Sequence, residues 1–221
     1  KPSGMAADAW TTAVWPDGSV KWLGVAGVTG SMATMQRPVV DANTITIDNG
    51  KLKLYVARHG RNLIDSLIMD GKKICDGAHL VATTTNATYA SVVDSAVVER
   101  AGSSRALIKI CGTMSDGSRR WLPFTLRLYA YAANEQLRMV HSFIYDGDQD
   151  KDFISSLGLT FDVPLRKETY NRHVMFAMDG GKMWHEPVQP LDGRSPLDRN
   201  YNWQERQQAG FEIPAANTFD E

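Results

Sequence analysis

The feature that most constrains this chain is an alternation of apolar and polar residues with a period of two. The alternation recurs in five segments: residues 51–56, 106–111, 122–130, 137–145 and 157–163. Successive side chains of a β-strand point to opposite faces, so this period predicts half-buried strands. The best helix candidate is a short one over residues 202–209. Because the recurring period is that of strands and the best helix candidate is short, we expect the chain to be all-β.

Turn signals separate these segments. Five Asn-Gly or Asp-Gly pairs lie beside apolar or alternating runs: Asp17-Gly18, Asn49-Gly50, Asp70-Gly71, Asp116-Gly117 and Asp146-Gly147. The tight two-residue hairpin turn needs positive φ at both central residues, which Asn, Asp and Gly tolerate best. The pairs predict hairpins, and repeated hairpins predict an antiparallel β-sandwich or barrel.

Three segments of the chain differ in pattern. Residues 1–43 contain Trp-bearing runs followed by a loose Gly, Ser, Thr and Met stretch, and residues 44–165 contain the dense strand array. Residues 166–221 are richer in Pro, Gly, Asn and Arg and have weak periodicity. We predict an antiparallel β-sandwich over residues 44–165, with residues 166–221 as a loop-rich extension or linker.

Charge and hydropathy exclude several function classes. The formal net charge is -1 and the Lys and Arg residues are scattered, which predicts no nucleic-acid partner. No apolar run approaches the roughly 18 residues of a membrane span. Residues 1–9 lack the apolar centre of a signal peptide, so we expect an export signal to have been removed or to lie outside this sequence.

The cysteine and histidine spacings predict neither a metal site nor a cofactor. Cys75 and Cys111 lie among apolar residues and are interpreted as two buried free thiols, with a cross-strand disulfide left open. His59 and His79 are isolated. His141 falls on the apolar face of its predicted strand, where a hydrogen-bonded core histidine is expected.

Two further motifs have a structural and a functional interpretation. Residues 15–22, Trp-Pro-Asp-Gly-Ser-Val-Lys-Trp, predict a hairpin whose Trp rings either close a small core or form a platform for a sugar face. Residues 146–152 have carboxylates at alternate positions, and their oxygen atoms suit Ca²⁺. An EF-hand loop needs Gly and Glu where Lys151 and Leu157 stand, so a solvated turn is favoured.

The candidate chemistry lies in the loop-rich tail. Tyr170, Asn171, Arg172 and His173 are consecutive, and His185 and Glu186 follow a Gly-rich turn. β-Elimination from a uronate needs one group to neutralise the carboxylate, one to take the C5 proton and one to protonate the leaving oxygen. The structural alternative is an ion pair between Arg172 and Glu186, with His173 at a strand edge.

Several stretches, taken in order, resemble a known family. They are the run at residues 15–22, Phe143-Ile144-Tyr145-Asp146-Gly147-Asp148, Lys151-Asp152-Phe153-Ile154 through Leu157-Gly158-Leu159, and Tyr170-Asn171-Arg172-His173. This order resembles the exo-rhamnogalacturonan lyase-like proteins, that is, polysaccharide lyase family 26 and its bacterial relatives. The resemblance covers most of residues 10–190, and the Trp-Pro-Asp-Gly-Ser-Val-Lys-Trp run is its most specific part.

The resemblance implies an N-terminal barrel-like β domain, a central β-sandwich and a C-terminal α/α toroid. Residues 1–43 are then the end of the barrel, and the toroid has no counterpart here, so we expect this chain to be one part of a longer lyase. The implied activity is β-elimination on an acidic pectin-type polysaccharide, in a secreted or periplasmic protein. Tyr170, Arg172, His173 and Glu186 are the expected catalytic set, and the expected substrate-binding residues are Asn171, Trp184, His185 and Trp203.

Two rival functions remain open. One is a carbohydrate-binding or structural sandwich that stacks sugars on exposed rings such as Trp184, Tyr201 or Trp203. The other is a glycoside hydrolase that uses paired carboxylates such as Glu186 and Asp192. In each case the partner is a polysaccharide or oligosaccharide.

Overall fold

The computed structural model describes residues 7–27, 33–165 and 173–187 of the chain. Within these ranges there are fourteen β-strands, one 3-10 turn at Asp179–Gly181 and no α-helix. The strands are β1 Ala7–Val14, β2 Val20–Gly27, β3 Val39–Val40, β4 Thr44–Asp48, β5 Leu52–Ala57, β6 Ile64–Met69, β7 Lys72–Thr84, β8 Thr88–Ala101, β9 Arg105–Ser115, β10 Arg120–Tyr131, β11 Leu137–Phe143, β12 Ile154–Asp162, β13 His173–Ala177 and β14 Met183–Pro187.

All the strand pairs are antiparallel. The main sheet has the order β11-β10-β9-β8-β7-β6-β5-β4-β3, and β12 pairs with β7 off this path. Each of the five alternating segments lies on one of these strands, although β11 and β12 end before residues 145 and 163. The prediction of an all-β antiparallel fold is confirmed.

Strand β7 is the place where the sheet folds over. It pairs with β6 through Ala78, with β12 from Asp76 to Thr84, and with β8 only at Val81–Thr83. This short β7–β8 pairing lets β8–β11 turn away from β3–β7 and pack against them. Two packed layers of antiparallel strands form the expected sandwich.

One apolar cluster fills the space between the layers. Its fully buried members include Ile47 on β4, Leu54 on β5, Leu80 on β7, Ile108 on β9 and Leu128 on β10. Along these strands, buried positions alternate with more accessible, mostly half-buried ones, as the sequence period requires. Burial of such side chains stabilises the fold by roughly 1.5–3 kcal/mol each.

Four of the five predicted hairpin turns join paired neighbouring strands. They lie between β1 and β2, β4 and β5, β6 and β7, and β9 and β10. At the third, Asp70 and Gly71 have φ of 49° and 70°, the positive values that this turn needs.

The prediction of a hairpin at Asp146-Gly147 is wrong. β11 ends at Phe143, and β12 pairs with β7 rather than with β11. The segment between them carries the chain from one layer of the sandwich to the other. An Asp-Gly pair marks a turn but does not determine which strand the next segment joins.

Both cysteines are free. Cys75 is buried, as expected, whereas Cys111 is half-buried, with its Sγ 3.8 Å from Thr125 Oγ1. Burial raises the pKa of the Cys75 thiol above its usual value, and the charge of Asp76 adds to this effect. The expectation that both thiols are buried therefore holds for Cys75 alone.

The chain divides into two compact units, Lys1–Pro164 and Leu165–Glu221. In the second unit the structure describes a hairpin of β13 and β14 around the 3-10 turn. The helix predicted over residues 202–209 lies outside the described residues. No helix in the described part of the chain is long and apolar enough to cross a membrane.

Candidate functional site

The β13–β14 hairpin contains four of the residues predicted from the tail. Its register places His173 opposite Pro187, Val174 opposite Glu186 and Phe176 opposite Trp184. His185 pairs with Met175 in the same hairpin. The strand that begins at His173 thus pairs with the strand that carries His185 and Glu186.

The other predicted site residues are not described. Tyr170, Asn171, Arg172 and Trp203, together with Tyr201 and Asp192 of the rival functions, lie outside the described residues. The predicted catalytic set therefore stays a prediction. The Trp184 ring is 54% exposed.

The acidic segment 146–152 uses its carboxylates to hold the sandwich together. Asp152 forms a two-point ion pair with Arg119, at 2.7 Å for each oxygen. Hydrogen bonds from Arg119 lower the pKa of Asp152 to about 2. Asp146 accepts a 2.7 Å hydrogen bond from the Leu122 backbone N–H, and Asp148 pairs with Lys151 at 2.9 Å. Among the described residues no group of three or more His, Cys, Asp or Glu could hold a metal ion.

The Trp15–Trp22 run forms the predicted hairpin, but its rings do not close a core. The rings of Trp15 and Trp22 are 50% and 64% exposed. The Lys21 ammonium lies 4.3 Å from the centre of the Trp15 ring. The expectation of a small Trp core is wrong, because both rings lie on the outside of a two-stranded hairpin.

His141 lines a cavity of about 260 Å³ with apolar residues of β7, β10, β11 and β12. Its ring contacts Phe124 and Phe143 at centroid distances of 5.9 and 5.7 Å. Its buried Nε2 has no hydrogen-bond partner among the described residues. The prediction of a hydrogen-bonded histidine is therefore wrong, and burial lowers the pKa of this ring below 6.5.

His79, which is isolated in the sequence, meets an arginine on the outer face of β7 and β12. Arg61 NH2 lies 2.7 Å from His79 Nε2, and His79 Nδ1 lies 2.8 Å from the Gly77 carbonyl. The Thr160 hydroxyl of β12 lies 3.1 Å from Nε2. We call these three side chains, Arg61, His79 and Thr160, the Arg61–His79 cluster.

The hydrogen bonds of the cluster determine the state of the ring. A guanidinium only donates, so Nε2 accepts, and a carbonyl only accepts, so Nδ1 carries the proton. In this arrangement the lone pair of His79 Nε2 is directed at Arg61. This pair combines a cation with a proton acceptor on a solvent-exposed surface.

The backbone around the cluster holds this arrangement in place. The fully buried Ser91 donates to the Arg61 carbonyl at 2.7 Å and accepts from Leu80 N–H at 3.0 Å, which fixes the loop that carries Arg61. Gly77 has φ of 59°, and a Cβ there would lie 2.8 Å from Asp162 Oδ2. The positive φ and the close carboxylate favour glycine at this position, whose carbonyl orients His79.

A second polar constellation joins β1 to the turn between β8 and β9. The Asp8 carboxylate accepts hydrogen bonds from the backbone N–H groups of Ser103, Ser104 and Arg105 at 2.7, 3.1 and 3.1 Å. Both serine hydroxyls also donate to it. Burial alone would raise the pKa of Asp8, but the hydrogen bonds from Ser104 and Ser103 outweigh it and hold the pKa below 3.8.

Comparison with known proteins assigns the two parts of the chain. Residues 2–42 match the PcRGLX-like N-terminal RIFT barrel domain, and residues 39–221 match the PcRGLX-like protein central beta sandwich domain. The chain belongs to the PcRGLX-like family. The resemblance to rhamnogalacturonan lyase-like proteins, with a barrel end followed by a sandwich, is therefore confirmed.

A relative of this PcRGLX-like chain occurs in Bacillus subtilis (strain 168). The chain is 32% identical over 225 residues to a protein named "Uncharacterized protein YetA". The match covers 89% of this chain and 26% of YetA. The chain thus spans only part of the length of this relative.

Proposed function

We propose that this chain is the barrel-end and sandwich part of a polysaccharide lyase that cleaves an acidic pectin-type polysaccharide by β-elimination. The observation that carries the proposal is the match of two consecutive PcRGLX-like domains in their family order. A pectin-type polysaccharide is found outside the cytoplasm, so we propose that the protein is secreted or periplasmic. The sugar polymer is the proposed partner, and the reaction needs no cofactor.

The chemistry of β-elimination fits the Arg61–His79 cluster. A base removes the proton at C5 of the uronate, the C4–O bond breaks, a C4=C5 double bond forms, and the leaving oxygen takes up a proton. A cation beside the carboxylate stabilises the charge that develops when C5 loses its proton. We propose that Arg61 pairs with the carboxylate and so frees Nε2 of His79 as the base.

The tail residues form a second set within the same proposal. There His173 or Tyr170 acts as acid or base, Arg172 offsets the uronate charge, and Glu186 completes the set. Asn171, Trp184, His185 and Trp203 bind the sugar in this version. The register that brings the His173 strand beside the Glu186 strand supports this set.

Incubation of the full-length protein with a panel of uronate polysaccharides tests the proposal. An unsaturated product that absorbs in the ultraviolet is expected, because elimination leaves a conjugated double bond. Saturated products would indicate a glycoside hydrolase, and no product from any of the polymers would contradict the lyase.

Matched histidine variants separate the two residue sets. We expect His79→Gln to lower kcat by about 10²–10⁴, the usual contribution of a general base. His59→Gln is the control, because His59 is exposed and its ring bonds, within the described ranges, only to the Asp94 carbonyl at 3.1 Å. If His79→Gln is fully active and His173→Gln is inactive, the catalytic base is His173 rather than His79.

A carbohydrate-binding module without chemistry is the second candidate. The exposed rings of Trp15 and Trp22, and of Trp184 in the second unit, favour it. Exposed aromatic rings stack on the apolar faces of sugars. Binding without turnover that is lost in Trp22→Ala would support this function over the lyase.

A further inference from the structure

A cavity of about 440 Å³ lies where β1 meets the β8–β9 turn. It is lined on one side by Asp8 and Trp10 and on the other by Arg100, Gly102 and Arg105. None of these residues was singled out from the sequence, because β1 and the β8–β9 turn are more than 90 residues apart.

Arg105 is the unusual residue of this cavity. Its side chain is more than nine-tenths buried, with 8% of the residue exposed, and its Nε has no hydrogen-bond partner among the described residues. No ion pair with Arg105 occurs in the described part of the chain. A buried cation without a counter-charge is costly, and a bound anion removes this cost.

The carboxylate at the cavity wall does not supply that counter-charge. Asp8 accepts from the backbone N–H groups and hydroxyls of the β8–β9 turn, and the described residues show no ion pair between Asp8 and the Arg105 guanidinium.

The remaining lining supplies a second cation and an aromatic ring. The guanidinium carbons of Arg100 and Arg105 lie 4.7 and 4.4 Å from the centre of the Trp10 ring. The ring lies across Gly24 of β2, where any Cβ would collide with it. The two arginines are therefore held beside one indole, and Arg100 is exposed.

We propose that this cavity is a binding subsite for a uronic acid residue, whose carboxylate is held by Arg105 and Arg100 and whose ring lies against Trp10. A guanidinium fork matches the two oxygens of a carboxylate, and aromatic surface suits the apolar part of a sugar. The choice of a uronate rather than another carboxylate rests on the proposed function.

Binding of galacturonic acid to the full-length protein tests the subsite without any bond cleavage. Its methyl ester is the matched neutral ligand, because it keeps the ring and loses only the charge. Isothermal titration should show tighter binding of the acid, and the ¹⁵N–¹H resonance of Arg105 Nε should shift with the acid and stay unchanged with the ester. Inorganic phosphate serves as a second anion and is expected to bind more weakly than the acid.

Four variants assign the binding to the cavity. We expect Arg105→Met and Arg100→Gln each to weaken acid binding about tenfold or more, the usual effect of losing a charge-assisted hydrogen bond. The exposed Arg100 keeps the test valid if Arg105→Met fails to fold. Trp10→Leu should weaken binding of both the acid and the ester. Arg120→Gln is the control, since Arg120 is exposed and pairs with Asp94 at 2.8 Å.

Three outcomes would overturn the subsite: equal affinity for acid and ester, acid binding unchanged in both arginine variants, or phosphate binding tighter than the acid. The lyase proposal fails separately. If the protein is inactive but still binds the acid through Arg105, the subsite proposal stands and the lyase proposal fails. If the protein is an active lyase without this binding, the lyase proposal stands and the subsite proposal fails.

Discussion

At the scale of single residues, His141 is a titratable group inside an apolar environment. Its ring contacts two phenylalanine rings and has no described hydrogen-bond partner, so the protonated form is disfavoured. The folded pKa lies below the 6.5 of an unperturbed histidine. As the pH falls below about 6.5 the unfolded chain binds the proton first, and this residue therefore lowers stability on the acid side.

Replacement of His141 by Phe removes this titration. We expect the free energy of unfolding of the wild-type protein to fall more than that of His141→Phe between pH 7.5 and pH 5, measured by urea unfolding at about these values. The adjoining cavity gives the larger ring room. His59→Gln, at an exposed position, is the control. Identical pH profiles for the wild type and His141→Phe would show that the ring protonates freely in the folded state.

At the scale of elements, Asp8 ties the β1–β2 hairpin to the sandwich. Asn has one acceptor oxygen, and its amide N–H groups would face the donors of the β8–β9 turn. We expect Asp8→Asn to lower the free energy of unfolding by about 1–3 kcal/mol, because charge-assisted hydrogen bonds are lost. Asp17→Asn is the control, since the exposed Asp17 carboxylate bonds only to Ser19, within its own turn.

Hydrogen exchange locates the effect of Asp8→Asn. The amides of Ser103, Ser104 and Arg105 should exchange faster in the variant and those of the β4–β5 hairpin should not. Because the folded pKa of Asp8 is lowered, its stabilisation is present above about pH 3.8 and is lost as the pH falls further. Unchanged exchange at the three amides would mean that the carboxylate does not hold the hairpin.

The connection between β11 and β12 depends on Asp146 in a similar way. Leu122 is 1% exposed, has φ of 48° at a β-bulge in β10, and donates its N–H to Asp146. We expect Asp146→Ala to cost about 1–2 kcal/mol, because a buried N–H loses its acceptor. Asp148→Ala should cost less, since its partner Lys151 is exposed. Chemical denaturation of both variants makes the comparison, and equal losses would contradict it.

The local sequence pattern predicted the strands and turns better than it predicted which strands pair with each other. The alternation over residues 122–130 predicted β10, and Asp70-Gly71 predicted the turn before β7. Neither Asp146-Gly147 nor the alternation in β12 showed that β12 pairs with β7, because strand register over such a separation depends on packing.

The same limit applies to the sites. Arg61 and His79 are 18 residues apart, and Thr160 lies 81 residues beyond His79. The β7–β12 pairing brings Thr160 to His79, and the loop held by Ser91 brings Arg61, so no sequence motif marks the three residues. The Asp8 carboxylate and the unpaired Arg105 were missed for the same reason. The candidate residues of the tail were predicted from their spacing in the sequence alone. Whether they come together in space depends on residues outside the described ranges.

At the scale of the whole molecule, most of the described strands pair with a neighbour in sequence, and two long-range contacts close the fold. Residues 154–162 pair with residues 76–84, and Asp8 bonds to the turn at residues 103–105. For each of these contacts the chain must first close a long loop, and the conformational entropy lost in that closure slows folding. No disulfide between Cys75 and Cys111 shortens these loops, since both thiols are free.

We therefore expect the chain to refold on the order of milliseconds to seconds rather than microseconds. Trp121 reports on this in stopped-flow fluorescence, because it is 2% exposed and contacts the rings of Tyr89 and Tyr145. The nine prolines add slower isomerisation phases. A double-jump experiment with brief unfolding removes those phases and isolates the topological step. Complete recovery of the signal within the dead time of mixing would mean that the β7–β12 closure does not limit folding.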